Sequence, residues 1–176
     1  MPSAILVVGI GNRLLCDDGI GIELMQRLQE RYADREGVAF IDGGTLGLVL
    51  LGYLESRQAV LFLDAVATKA PGGTVHELTL ADLETMAPGD AASTAHESGA
   101  TQLIATAKLI GVLPETVAVI GIEPELLRTG EKFSPAVSNA IPAALDKAAL
   151  CLDHMLEDLG MEAPGATGPV ANRKLR

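Results

Sequence analysis

Two adjacent acidic residues, Asp17 and Asp18, follow a glycine turn near the start of the chain, and Asp64 interrupts an otherwise apolar run. A carboxylate among apolar neighbours needs a hydrogen-bond partner or a metal ion. His96 adds an imidazole ahead of a helical pattern. Carboxylates and an imidazole together bind nickel, zinc or iron without thiolate. These residue types therefore favour a divalent transition-metal site with open positions for chemistry.

Each of these residues also has a purely structural interpretation. One aspartate of the Asp17–Asp18 pair caps the following helix, which leaves the other free for a different role. Asp64 accepts backbone N–H bonds where its strand ends. A lone histidine such as His96 is more often solvated or a helix cap than a metal ligand. Taken singly, the motifs leave both interpretations open.

Apolar runs of strand length alternate with helical patterns almost from end to end, which is typical of a parallel sheet covered on both faces. We predict an α/β fold, a three-layer α/β/α sandwich with a central, mostly parallel twisted sheet. The predicted strands are 4–8, 38–41, 59–63 and 117–122, with an edge strand at 74–78. The predicted helices are 18–32, a segment near 48–54, 80–86, a helix through 110 after a loop at 87–93, and 134–159 with an interruption at Pro142.

The predicted strands place four side chains at one edge of the sheet. Asp18, Asp42, Asp64 and His96 each lie at or soon after a predicted strand end. Open α/β sheets bind their ligands at the carboxyl ends of the strands. We therefore expect several of these residues to converge there, despite their separation in sequence.

Other chemical motifs fit this chain less well. A dinucleotide-binding turn is disfavoured because Leu14 occupies the position of its third glycine and two acids follow. The sequence around Ser98 lacks the first glycine of a serine-hydrolase elbow. A Cys16–His96 nucleophilic pair is disfavoured because the neighbouring acids oppose a thiolate.

Size and charge narrow the class of protein further. The chain has 176 residues, 48% of them hydrophobic, which suits one domain over residues 1–159 and a disordered tail over 160–176. A net charge of −10 argues against nucleic acid or an anionic membrane as a partner. No apolar run approaches the roughly 20 residues that span a bilayer. We expect a cytoplasmic protein, monomeric, without disulfides or a zinc ribbon.

Four sequence blocks, in this order, resemble the nickel–iron hydrogenase maturation endopeptidases over roughly residues 4–157. The blocks are Gly9-x-Gly11-Asn12-x-Leu14-x-x-Asp17-Asp18-Gly19-x-Gly21, Asp42-Gly43-Gly44-Thr45, Leu63-Asp64-Ala65 and the single downstream His96.

The resemblance implies a hydrolase, an aspartic-type endopeptidase that removes a C-terminal peptide from the hydrogenase large-subunit precursor after nickel insertion. It implies that Asp18, Asp64 and His96 recognise nickel and form the catalytic site, where some family members carry Glu in place of Asp18. It also implies that nickel arrives with the precursor, so we expect no tightly bound cofactor. A carboxylate, or water activated by a carboxylate or by the metal, would attack the peptide carbonyl.

Two rivals to this interpretation use the same residues. The first is a nickel-dependent chaperone or checkpoint module that binds the precursor without cutting it. The second is another peptidase or a small-molecule hydrolase on a similar fold, since fold alone does not fix function. Turnover with excess precursor separates an enzyme from a binding module.

Overall fold

The computed structural model describes residues 3–33, 35–85 and 99–161. These residues form a three-layer α/β/α sandwich, as predicted. The strands are β1 (Ile5–Ile10), β2 (Val38–Gly44), β3 (Ala59–Ala65), β4 (Val75–Thr79) and β5 (Thr116–Ile122). The helices are α1 (Ile20–Arg31), α2 (Leu51–Leu54), α3 (Leu80–Thr85), α4 (Ala100–Ile110) and α5 (Pro135–Asp158). The 3-10 turns Cys16–Gly19 and Gly47–Leu50 precede α1 and α2.

The five strands form one sheet in the order β2-β1-β3-β5-β4. Strands β2, β1, β3 and β5 run parallel, and β4 pairs antiparallel with β5 at the edge. The edge position of β4 confirms the prediction for the short alternating stretch. The parallel arrangement brings the carboxyl ends of β1, β2, β3 and β5 to one edge of the sheet.

The sheet is buried on both faces, which explains why its strands are apolar runs rather than alternating patterns. On one face, alternate strand residues such as Val7, Leu61 and Ile120 pack against α1 and α5. On the other face, Val8 and Phe62 pack with residues of α2 and α4. The two cores hold the sheet rigid, so the side chains at its carboxyl edge have fixed positions.

The structure corrects the predicted interruption of the last helix. Helix α5 runs without a break through Pro142. Proline in a helix interior removes one backbone hydrogen bond. Pro142 is exposed, whereas Ile141 and Ala144 beside it are buried against the sheet. Water can therefore satisfy the freed carbonyl, while the buried residues on both sides keep the helix continuous.

Several other boundaries differ from the prediction, among them the end of β2, which continues to Gly44 rather than residue 41, and two predicted segments are not tested. Strand β3 continues through Asp64 to Ala65, and α1 begins at Ile20 rather than at Asp18. The predicted loop and the tail beyond residue 161 lie outside the described residues. Within the described residues, no helix combines the length and apolar character that a bilayer crossing requires.

Candidate functional site

The end of β3 and the turn after β1 place two carboxylates at the carboxyl edge of the sheet. Gly9 of β1 lies opposite Leu63 of β3 in the parallel register, so Asp64 follows directly beside the end of β1. Asp18 lies in the 3-10 turn that joins β1 to α1. Their side chains are largely buried, with 8% of Asp64 and 7% of Asp18 exposed. The structure thus brings Asp18 and Asp64 to the same edge of the sheet.

Asp64 is held by two backbone N–H groups. Its Oδ1 accepts a 2.8 Å bond from Ala65, and its Oδ2 accepts a 2.9 Å bond from Ala100, the first residue of α4. A Cβ added to Gly99 would lie 3.0 Å from Asp64 Oδ2. A larger residue at position 99 would therefore crowd the carboxylate against the start of α4. The prediction that Asp64 accepts backbone N–H bonds at the end of its strand is therefore confirmed, and these bonds leave a chemical role open.

The ionisation of Asp64 is strongly perturbed. Burial raises the pKa of its carboxyl to about 7, against the opposing effect of the hydrogen bonds from Ala100 and Ala65, and the nearby Asp18 charge raises it further. Asp64 is therefore partly protonated at neutral pH, a condition suited to accepting or donating a proton.

Asp18 is oriented by the glycine turn that precedes it. Its Oδ2 accepts a 2.8 Å bond from the backbone N–H of Asn12. Gly11 has φ +133, and a Cβ there would overlap the backbone carbonyl of Asp18. Only glycine therefore allows the turn to fold this closely over the 3-10 turn. The Gly-x-Gly-Asn motif positions a carboxylate rather than a phosphate.

Asp17 has a role that its sequence neighbourhood does not show. Its carboxylate is fully buried and accepts three backbone N–H bonds, from Glu125 at 3.0 Å, Leu126 at 2.7 Å and Ser134 at 2.6 Å. The N-cap of α1 is Gly19, without a side-chain cap. Of the Asp17–Asp18 pair, Asp17 is therefore not a cap of α1. Asp17 instead ties the turn that carries Asp18 to the segment leading into α5.

Asp42, the fourth predicted residue of this edge, faces solvent. It lies in β2 opposite Gly9, and its Oδ2 is 3.4 Å from the guanidinium of Arg13. Both side chains are about half exposed, so this ion pair contributes little to stability. Its position fits a contact that links the turn after β1 to the end of β2.

A further buried carboxylate, Glu123, anchors the loop that follows Asp64. Glu123, just beyond β5, accepts backbone N–H bonds from Thr68 and Lys69 and lies 2.9 Å from His76 Nε2. These partners lie 47 to 55 positions before Glu123, so no local sequence pattern indicates the network. It holds the loop between β3 and β4 over the end of β5.

A cavity of about 400 Å³ opens beside Asp18. Charged and apolar side chains line it, together with the glycine that follows Asp18: Arg13, Leu14, Gly19, Glu23, Glu131 and Phe133. Its volume is large enough for one or two amino-acid side chains.

The third predicted site residue, His96, lies outside the described residues. Within the part of the chain that the structure describes, no group of three His, Cys, Asp or Glu side chains could hold a metal ion. Asp18 and Asp64 supply hard oxygen donors, which fit a divalent metal but leave its coordination incomplete.

Comparison with known proteins shows the family of this chain. A family model described as hydrogenase maturation protease matches residues 22–150. The chain belongs to the hydrogenase maturation protease family. It is a peptidase, a hydrolase that acts in hydrogenase maturation. The family assignment agrees with the resemblance inferred from the sequence blocks, and it favours an enzyme over a module that only binds.

Relatives of this protease share most of its length. It is 38% identical to the hydrogenase expression/formation protein HupD of Rhodobacter capsulatus, over 84% of this chain and 70% of that protein. It is 32% identical to the hydrogenase 2 maturation protease of Escherichia coli, over 90% and 94%. The solved hydrogenase maturating endopeptidase HybD of E. coli has the same fold, with a TM-score of 0.73 and 26% identity over 92% of this chain and 96% of that one.

Proposed function

We propose that this protease removes the C-terminal extension of a nickel–iron hydrogenase large-subunit precursor after nickel has been inserted. The observation that carries the proposal is the pair of buried, mutually repelling carboxylates, Asp18 and Asp64, at the carboxyl edge of the sheet. The name of the E. coli relative, a hydrogenase 2 maturation protease, supports a hydrogenase subunit as the substrate.

Nickel would act as a recognition element that the precursor brings to this edge. Two carboxylates that repel each other are stabilised by a divalent cation between or beside them. Asp18 and Asp64 offer oxygen ligands, and the precursor would supply the remaining ligands together with His96. A precursor without nickel lacks this attraction, so its scissile segment would not be held at the carboxylates.

Peptide hydrolysis needs a group that takes a proton from the attacking water, or a nucleophile that attacks directly. In the metal-free protein burial raises the pKa of Asp64 to about 7, and a nickel ion beside it would lower that pKa and keep the carboxylate ionised, which suits a general base. Burial excludes bulk water from the carboxylate, and the Ala100 N–H fixes its orientation. The cavity at the turn that carries Asp18 would bind a substrate side chain close to the scissile peptide bond.

The proposal is tested by intact-mass spectrometry of a cognate large-subunit precursor, present in large molar excess over the protease. We expect loss of a C-terminal peptide from nickel-loaded precursor over many turnovers, and an unchanged mass for nickel-free precursor. Equal cleavage of both forms would overturn the role of nickel. A stoichiometric complex without cleavage would overturn the peptidase assignment and favour a checkpoint module.

A further inference from the structure

A charge-free segment follows β2 at the carboxyl edge of the sheet. Residues 43–54 contain no Asp, Glu, Lys or Arg, in a chain whose net charge is −10. The segment folds into the 3-10 turn Gly47–Leu50 and helix α2. Leu50 and Leu54 are buried against the core on the α4 side of the sheet, which anchors the segment.

The segment also has an exposed apolar surface. Four large side chains form it, and we name them the apolar ridge: Leu46 (51% exposed), Leu48 (54%), Val49 (66%) and Tyr53 (47%). The spacing of Leu46, Val49 and Tyr53 by three and four residues places these three next to one another along the helical segment, and Leu48 projects from a different side. Apolar side chains clustered on an exposed surface mark an interaction site.

The apolar ridge is connected directly to the turn that positions Asp18. The backbone N–H of Leu46 donates to Gly43 at 2.9 Å, and that of Gly11 donates to Gly44 at 3.0 Å. Gly11 in turn packs against the backbone carbonyl of Asp18. A protein bound over the carboxylates would therefore contact the ridge as well, because only the turn after β1 and the end of β2 lie between them.

We propose that the apolar ridge is the docking surface for the folded body of the precursor, beside the segment that enters the carboxylate site. This inference rests on the proposed function. Asp18 and Asp64 are more than nine-tenths buried, so a substrate that reaches them must press its surface onto the surrounding edge. The ridge belongs to a charge-free part of that edge, and it fits an apolar, uncharged partner face.

A second copy of this chain is a poorer occupant than the precursor. Two chains that each carry a charge of −10 repel one another on approach. The ridge itself offers no charge pair to offset that repulsion. The precursor brings a bound metal cation to the adjacent carboxylates, which supplies an attraction that self-association lacks.

The test compares Val49→Asp and Leu48→Asp with a matched control, Leu109→Asp. Leu109 is 86% exposed, and it lies near the end of α4 that is remote from Asp64. Affinity for nickel-loaded precursor is measured by isothermal titration calorimetry, and cleavage is measured at saturating precursor. We expect the ridge variants to bind roughly tenfold or more weakly, because each loses a buried apolar contact and buries a charge. We expect their cleavage at saturation, and all properties of Leu109→Asp, to match wild type.

The outcomes separate this inference from the proposed function. If wild type binds and cleaves while ridge variants and control behave alike, the docking surface is wrong and the proposed function stands. If wild type binds without cleaving and only the ridge variants lose binding, the ridge is supported and the peptidase assignment fails. Absence of binding by wild type contradicts both. A wild-type dimer that Val49→Asp converts to monomer in light scattering would assign the ridge to self-association instead.

Discussion

Asp64 accepts a 2.9 Å hydrogen bond from the backbone N–H of Ala100, although 36 positions separate the two residues. Ala100 is the first residue of α4, so the carboxylate that we propose for the chemistry also binds the start of this helix. One contact therefore links the candidate site to the fold.

The raised pKa of Asp64 predicts that stability falls as the pH rises through neutrality. The carboxyl has a pKa of about 7 when folded and 3.8 as its reference value, so the native state holds the proton more tightly. Its contribution is fully present below the lower value and is lost as pH rises through the higher one. Between roughly pH 5.5 and 8.5 we expect a loss of about 2 kcal/mol in the free energy of unfolding, measured with urea.

Asp64→Asn provides the control for this pH dependence. The amide cannot ionise in this range, so the variant should lack the Asp64 component of the slope. One of the N–H groups of Ala65 and Ala100 loses its acceptor, while the cost of burying a charge disappears. We therefore expect the variant to fold with similar stability at pH 7. An unchanged slope in the variant would show that another group causes the dependence.

Asp17→Asn should destabilise the protein strongly, although the residue makes no predicted contact with substrate. An asparagine can accept on one atom only, so buried N–H groups of Glu125, Leu126 or Ser134 lose their partner. We expect a loss of about 3 kcal/mol in urea unfolding. We also expect faster hydrogen exchange at Asn12, whose N–H reports the position of Asp18.

The matched control is Asp82→Asn, which alters an exposed aspartate bonded to the neighbouring Thr79. It should lower stability much less and should leave Asn12 exchange unchanged. Equal effects of the two substitutions would contradict the positioning role of Asp17.

Three histidines allow a direct test of His96. His76 is engaged with buried Glu123, and His154 is exposed on α5. We predict that His96→Ala lowers cleavage of nickel-loaded precursor by roughly 10² or more, the scale of a lost catalytic or metal-binding group. His154→Ala should cleave at the wild-type rate. Activity retained in His96→Ala would remove this residue from the site.

The sequence predicted the sheet better than it predicted the contacts at its edge. The strands β1, β3 and β5 are continuous apolar runs, because both faces of the sheet are covered and few strand positions are polar. Such runs are easy to recognise in a sequence. The site residues Asp18 and Asp64 were recognisable as carboxylates at strand ends. The apolar neighbours of Asp64 indicated its burial, whereas the burial of Asp18 was not recognisable because it depends on packing between segments far apart in the chain.

The role of Asp17 escaped the sequence for the same physical reason. Its three partners lie 108 to 117 positions away, and no local sequence pattern indicates a hydrogen bond to a distant backbone N–H. Pro142 shows the opposite failure, since a strong local signal for a break was overridden by the buried residues around it. In both cases tertiary packing, rather than the local sequence, determined the structure.

The most direct test of the central claim compares the wild type with Asp18→Asn and Asp64→Asn on nickel-loaded precursor, by the rate of C-terminal peptide release in intact-mass spectrometry. We predict many turnovers by the wild type and losses of at least roughly 10²-fold in both variants, each confirmed as folded by its unfolding curve. Cleavage by either variant at the wild-type rate would contradict the assignment of this carboxylate pair as the site of peptide hydrolysis.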